Sequence, residues 1–137
     1  MDVQHVVDGL TTVASRHDFK TTLDRLNQTI KAHQATIFAV IDHAAGAKAA
    51  GQALRPTTVI VFGDPKAGTP LMQAQQISGL DLPLRILVWQ DEVGAVWLSY
   101  NDPAWIARRH GLDPDLLPTT ANMAGALTLF TRAAAGA

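Results

Sequence analysis

At 137 residues, with 47% apolar and 17% charged side chains, the chain has the length of one domain and enough apolar content to bury a core. Its 11 basic and 12 acidic residues leave a formal charge of −1, which argues against the basic face that non-specific nucleic-acid binding needs. The absence of cysteine excludes disulfides, thiol catalysis and cysteine-held metals. Residues 1–15 hold neither a basic leader nor a long apolar run, and no run approaches the roughly 20 apolar residues of a membrane span. A cytoplasmic protein that binds neither nucleic acid nor membrane is expected.

Leu10 to Ala14 reads as a first strand. Asp18 then stands where an N-cap belongs. Phe19, Leu23, Leu26 and Ile30 follow at spacings of four, three and four, which is one face of an amphipathic helix. Thr36 to Asp42 is a second strand. The alanine-rich run after it predicts a short helix, with Asp42 as its cap and Gly51 at its end.

Thr57 to Phe62 is β-branched and aromatic, a third strand that Gly63 ends. Asp64-Pro65 is a turn signal, and Gly68 allows an unusual backbone angle. Thr69 then fits an N-cap and Pro70 the first helical position. That division leaves Lys66 in a loop beside free backbone N–H groups, the physics of an anion site. The loop lacks the Gly-Lys-Ser/Thr ending of a P-loop, and a capped turn with a solvated lysine is the plainer alternative.

Leu82 to Asp91 is a long strand, with Leu82, Leu84, Ile86 and Val88 on one face and Arg85, Leu87 and Trp89 on the other. Asp91 to Gly94 is a hairpin turn, and Ala95 to Tyr100 returns antiparallel. Both faces carry large apolar groups. One side therefore calls for helices and the other for a second subunit, so a homodimer is expected. Asp102-Pro103 opens a short helix that Gly111 stops. Thr119 or Thr120 is expected to cap a last helix with Met123, Leu127 and Phe130 on its stripe, and residues 133–137 to fray. No linker divides residues 1–137. The hairpin favours a single α+β domain over a doubly wound one.

Four groupings carry candidate chemistry. Asp42-His43 sets a carboxylate beside an imidazole, a proton-transfer pair or merely a helix cap. Tyr100 and Asn101, between Ser99 and Asp102, form a polar end to a strand; beside the Lys66 loop they would line a small-molecule pocket. Trp89, Trp97 and Trp105 suit a ligand wall, or a core or subunit interface. The five histidines have no metal-ligand spacing and no serine sits in a nucleophile elbow, so no metal and no cofactor is expected.

Three segments together resemble one family: Ile41 to Ala47; Leu54 to Thr57 with Phe62 to Met72; and Leu82 to Leu84 with Val88-Trp89, Val96 to Pro103 and Arg109 to Gly111. They are similar to the bacterial and archaeal proteins grouped as domain of unknown function 302, over about residues 10–130. The resemblance implies a TATA-binding-protein-like, helix-grip domain: a curved antiparallel sheet on a long helix, with short helices inserted. It implies a dimer, no DNA binding and no established reaction. Asp64 departs from the family pattern, which has Asn there, and a carboxylate would partly neutralise Lys66.

The expected function is a dimeric module for a small, anionic or amphipathic ligand. Its candidate residues are Lys66, Gly68, Thr69, His43, Asp42, Tyr100 and Asn101. The alternatives are an enzyme using Asp42 or His43 with Lys66 as electrostatic stabiliser, and a dimeric scaffold without ligand.

Overall fold

The computed structural model describes residues 7–137; Met1 to Val6, with His5, lie outside the described residues. Five strands, β1 (Leu10–Ala14), β2 (Thr36–Asp42), β3 (Thr57–Gly63), β4 (Leu84–Gln90) and β5 (Val96–Asn101), form one sheet in the order β1-β5-β4-β3-β2. Every neighbouring pair is antiparallel. The helices are α1 (Phe19–Ala32), α2 (His43–Ala49), α3 (Pro65–Ala74), α4 (Pro103–Arg109) and α5 (Leu117–Ala135). Short 3₁₀ turns occupy Gln76–Asp81 and Pro114–Leu116. This is the expected α+β architecture.

Strand periodicity decides which side the core lies on. In β3, Thr58, Ile60 and Phe62 are buried, while Thr57, Val59 and Val61 between them are only half-buried. The same alternation in β4 buries Leu84, Ile86 and Val88. The buried set meets Leu26 and Ile30 of α1 and Leu127 and Phe130 of α5 in one cluster. Burying each such side chain stabilises the fold by about 2 kcal/mol before entropy is counted. The opposite face carries Val59, Val61, Leu87 and Trp89, half-buried. There Trp89 stacks on Trp97 at 6.1 Å and donates from Nε1 to Ser99 Oγ, and Trp97 Nε1 donates to Asp91.

Three expectations need correction. α3 begins at Pro65, not Pro70, because Asp64 is the N-cap and its carboxylate accepts the Lys66 N–H at 3.0 Å. Pro70 lies inside that helix. The Asp-Pro pair signals a helix start here as it does at Asp102-Pro103. α5 begins at Leu117, with Pro118 in its first turn; Thr120 turns its hydroxyl back to the carbonyls of Leu116 and Leu117 instead of capping. The tail does not fray: Ala134 and Ala135 are fully buried, and the Ala135 carbonyl accepts the Arg16 N–H at 2.9 Å. Arg25 holds the Ala133 carbonyl through Nε and Nη2.

Candidate functional site

An antiparallel sheet sends successive strands in opposite directions, so strand-to-helix turns alternate between its two ends. The register shows the consequence: Gly63 pairs with Thr36 at one end of β3, and Thr58 with Asp42 near the other. Five residues of strand separate these pairs, about 17 Å. Asp42 and His43 are therefore at the far end of the sheet from Lys66, and no proton-transfer site joins them. Asp42 caps α2 by accepting the Ala45 N–H at 2.9 Å, and His43 is exposed. Tyr100 and Asn101 share the Lys66 end of the sheet, but β4 intervenes. Two strand spacings amount to roughly 10 Å. Tyr100 is a core residue, and Asn101 is exposed.

A cavity of about 710 Å³ opens at the Lys66 end, on the helix side of β2 and β3. Four pieces of chain wall it. β3 ends there with Phe62 and Gly63, and α3 adds Lys66, Ala67, Gly68, Thr69 and Met72. The Leu82–Leu84 entry to β4 closes one side; the Leu82-Pro83 peptide is cis. α5 lays Thr119, Asn122, Met123, Ala126, Leu129 and Phe130 along it, positions that recur on one helical face. The end of α1 and the start of β2 add His33, Gln34, Ala35 and Phe38. The inner wall is aromatic: Phe62 meets Phe130 edge-on at 5.6 Å, and His33 leans on Phe130 at 5.5 Å.

Of the expected ligand residues, Lys66, Gly68 and Thr69 line this cavity; Asp42, His43, Tyr100 and Asn101 do not. The N–H groups expected to be free are in use. Lys66 N–H goes to the Asp64 carboxylate, and the Ala67 and Gly68 N–H groups go to the Asp64 carbonyl at 2.9 and 3.1 Å. Any attraction for an anion therefore rests on Lys66 Nζ, which has no ion-pair partner among the described residues.

His33 and Gln34 were not legible as site residues. His33 ends α1, and its Nδ1 lies 2.9 Å from the Thr29 carbonyl. A carbonyl only accepts, so Nδ1 carries a proton and Nε2 is the nitrogen left for a ligand. Gln34 follows at φ 62°, the left-handed conformation that favours glycine or asparagine after a helix. A glutamine held there costs of order 1 kcal/mol, and such strain tends to collect at functional positions.

Beside the cavity, at the same end of the sheet, lies a second polar cluster. Asp81 is 7% exposed and closes the 3₁₀ turn before β4. Its carboxylate accepts from Arg109 Nη1 at 3.0 Å and from His110 Nε2 at 2.6 Å. Arg109 also lies 5.5 Å over the Trp105 ring. Trp105 packs against Gly9, where an added Cβ would clash with the indole. Residues three apart eclipse in a 3₁₀ turn, so Ser78 and Asp81 share the buried face while Ile77 and Leu80 point outward, each 68% exposed. None of the three tryptophans lines the cavity. Among the described residues no group of three or more His, Asp or Glu side chains is arranged to hold a metal.

The family profile described as "Domain of unknown function DUF302" matches residues 11–130. A crystal structure of an uncharacterized conserved DUF302 protein from Bacillus stearothermophilus superposes with a TM-score of 0.82 over 93% of this chain and 99% of that one, at 16% identity. Proteins named fluoride-specific ion channel FluC 1 from Brucella suis and Brucella abortus are 51% identical over 104 residues, 76% of this chain. The matched segment is 41% and 38% of those proteins' lengths. Among the described residues no helix is long and apolar enough to cross a membrane.

Proposed function

The chain belongs to the DUF302 family, a domain of unknown function, and from that premise we propose that it is a dimeric binding module for a small, mainly apolar molecule. The observation that carries the reading is the cavity of about 710 Å³, a size within the usual range for small-molecule sites. Its inner wall is apolar, through Phe62, Met123 and Phe130, and its polar side chains are fewer: His33, Gln34, Asp64, Lys66, Thr69, Thr119 and Asn122. Convergence of a few polar groups on an apolar hollow is what orients a ligand that the hydrophobic effect holds.

The dimeric part of the reading rests on the outer sheet face. Val59, Val61, Leu87 and Trp89 stay half-buried in one chain, and a second copy laid against them would finish their burial. An enzyme built on Asp42, His43 and Lys66 is not proposed, because the sheet separates them. Channel activity is not proposed either. The fluoride-channel name describes proteins more than twice as long as the segment they share with this chain.

Native mass spectrometry tests both parts. The expected result is a dimer that carries an extra small mass, lost on denaturation, or that takes up one added apolar ligand per chain. A monomer overturns the dimer; a dimer that takes up no ligand from an apolar panel overturns the binding role.

A further inference from the structure

The charges around the cavity narrow the ligand further, an inference that rests on the binding reading above. Lys66 and Asp64 are the two formally charged residues in its lining, and His33 is the one that can become so. Asp64 is committed to the start of α3, where its carboxylate and its carbonyl hold three successive N–H groups. A carboxylate at a helix start is favoured there. Lys66 Nζ has no such commitment among the described residues.

We propose that the ligand is an amphiphile with a singly charged acidic head. The head meets Lys66 Nζ, and the tail lies against Phe62, Met123 and Phe130. The head is acidic because the uncommitted charge is a cation, at the edge of a mainly apolar wall. It is a monoanion because one uncommitted cation, Lys66, is available to it. A phosphate dianion would meet Asp64 without a second cation to offset it.

The test is titration calorimetry of the full chain with alkanoic acids of increasing length, and with decanol and decyl phosphate. Each added methylene is expected to tighten binding by about threefold to fourfold until the cavity is filled. Decanoate is expected to bind at least about tenfold more tightly than decanol, the effect of one charge-assisted contact. Lys66→Met is expected to erase that preference without moving the melting midpoint of the unliganded chain. A length dependence with equal affinity for acid and alcohol would overturn the acidic head and leave the cavity reading standing. Decyl phosphate binding more tightly than decanoate would overturn the single charge. No length dependence at all would overturn the binding reading itself.

Discussion

Two polar regions sit side by side at one end of the sheet, and they are built on opposite principles. In the clasp between the 3₁₀ turn and α4, the Asp81 carboxylate is buried and bonded to Arg109 and His110. In the cavity beside it, Lys66 stands at the edge of an apolar hollow with no ion-pair partner among the described residues. A buried charge whose partners are all present is committed to the fold. An uncommitted charge beside unfilled apolar wall is available to something else. Residue type alone does not separate the two, since both regions hold a carboxylate, a cation and a histidine; what separates them is whether the partners are already supplied.

The largest expected effect comes from the clasp. Asp81→Ala leaves Arg109 and His110 without their acceptor and is expected to cost about 1–3 kcal/mol, read from urea unfolding. The surviving folded fraction should still bind decanoate. A loss below about 1 kcal/mol would show that the clasp is not structural.

Next come the two helix caps. Asp42→Ala and Asp64→Ala each remove a carboxylate from a helix N–H and are expected to cost about 1 kcal/mol. Their ligand responses should differ. Asp42→Ala, at the far end of the sheet, should leave decanoate affinity unchanged, whereas Asp64→Ala removes a negative charge from the cavity lining and should tighten it. Equal responses would erase the distinction between the two turns. Lys66→Met should change stability by no more than about 0.5 kcal/mol, as for an exposed side chain without partners.

The smallest effect belongs to the hairpin, a control remote from both regions. The Trp97 indole N–H, followed by the backbone N–H groups of Ala95 and Val93, holds Asp91 below its ordinary carboxylate value of 3.8. A depressed carboxylate contributes stability above its unfolded value and loses it as pH falls through the folded one. The urea midpoint should therefore drop as pH falls below about 4, and Asp91→Asn should flatten part of that drop without altering decanoate binding at pH 7. An unchanged profile in the mutant would remove Asp91 from the account.

Much of the fold was legible because it follows from periodicity. Phe19 to Ile30 at helical spacing, and Leu84, Ile86 and Val88 at strand spacing, name their own buried faces. The helix starts were harder, because Asp64-Pro65 and Thr69-Pro70 are both valid start signals, and the chain uses the earlier one. The site was only partly legible. Lys66, Gly68 and Thr69 stand out through the turn that carries them. His33 comes from the end of α1 and Asn122 and Phe130 from α5, and only packing brings them to one cavity with Lys66. Asp42-His43 misled for a topological reason: two strand-to-helix turns that look alike in sequence lie at opposite ends of an antiparallel sheet. The clasp was invisible because 28 and 29 residues separate Asp81 from its partners.

The central claim is that the hollow between α3 and α5 is a ligand site. The most direct test compares the melting midpoint with and without saturating decanoate in the native chain and in Ala126→Trp, which fills the hollow from α5. A ligand that binds only the folded state raises its stability by about 2.7 kcal/mol at a hundredfold excess over Kd. The account predicts a rise in the native chain and none in Ala126→Trp; an equal rise in both would contradict it.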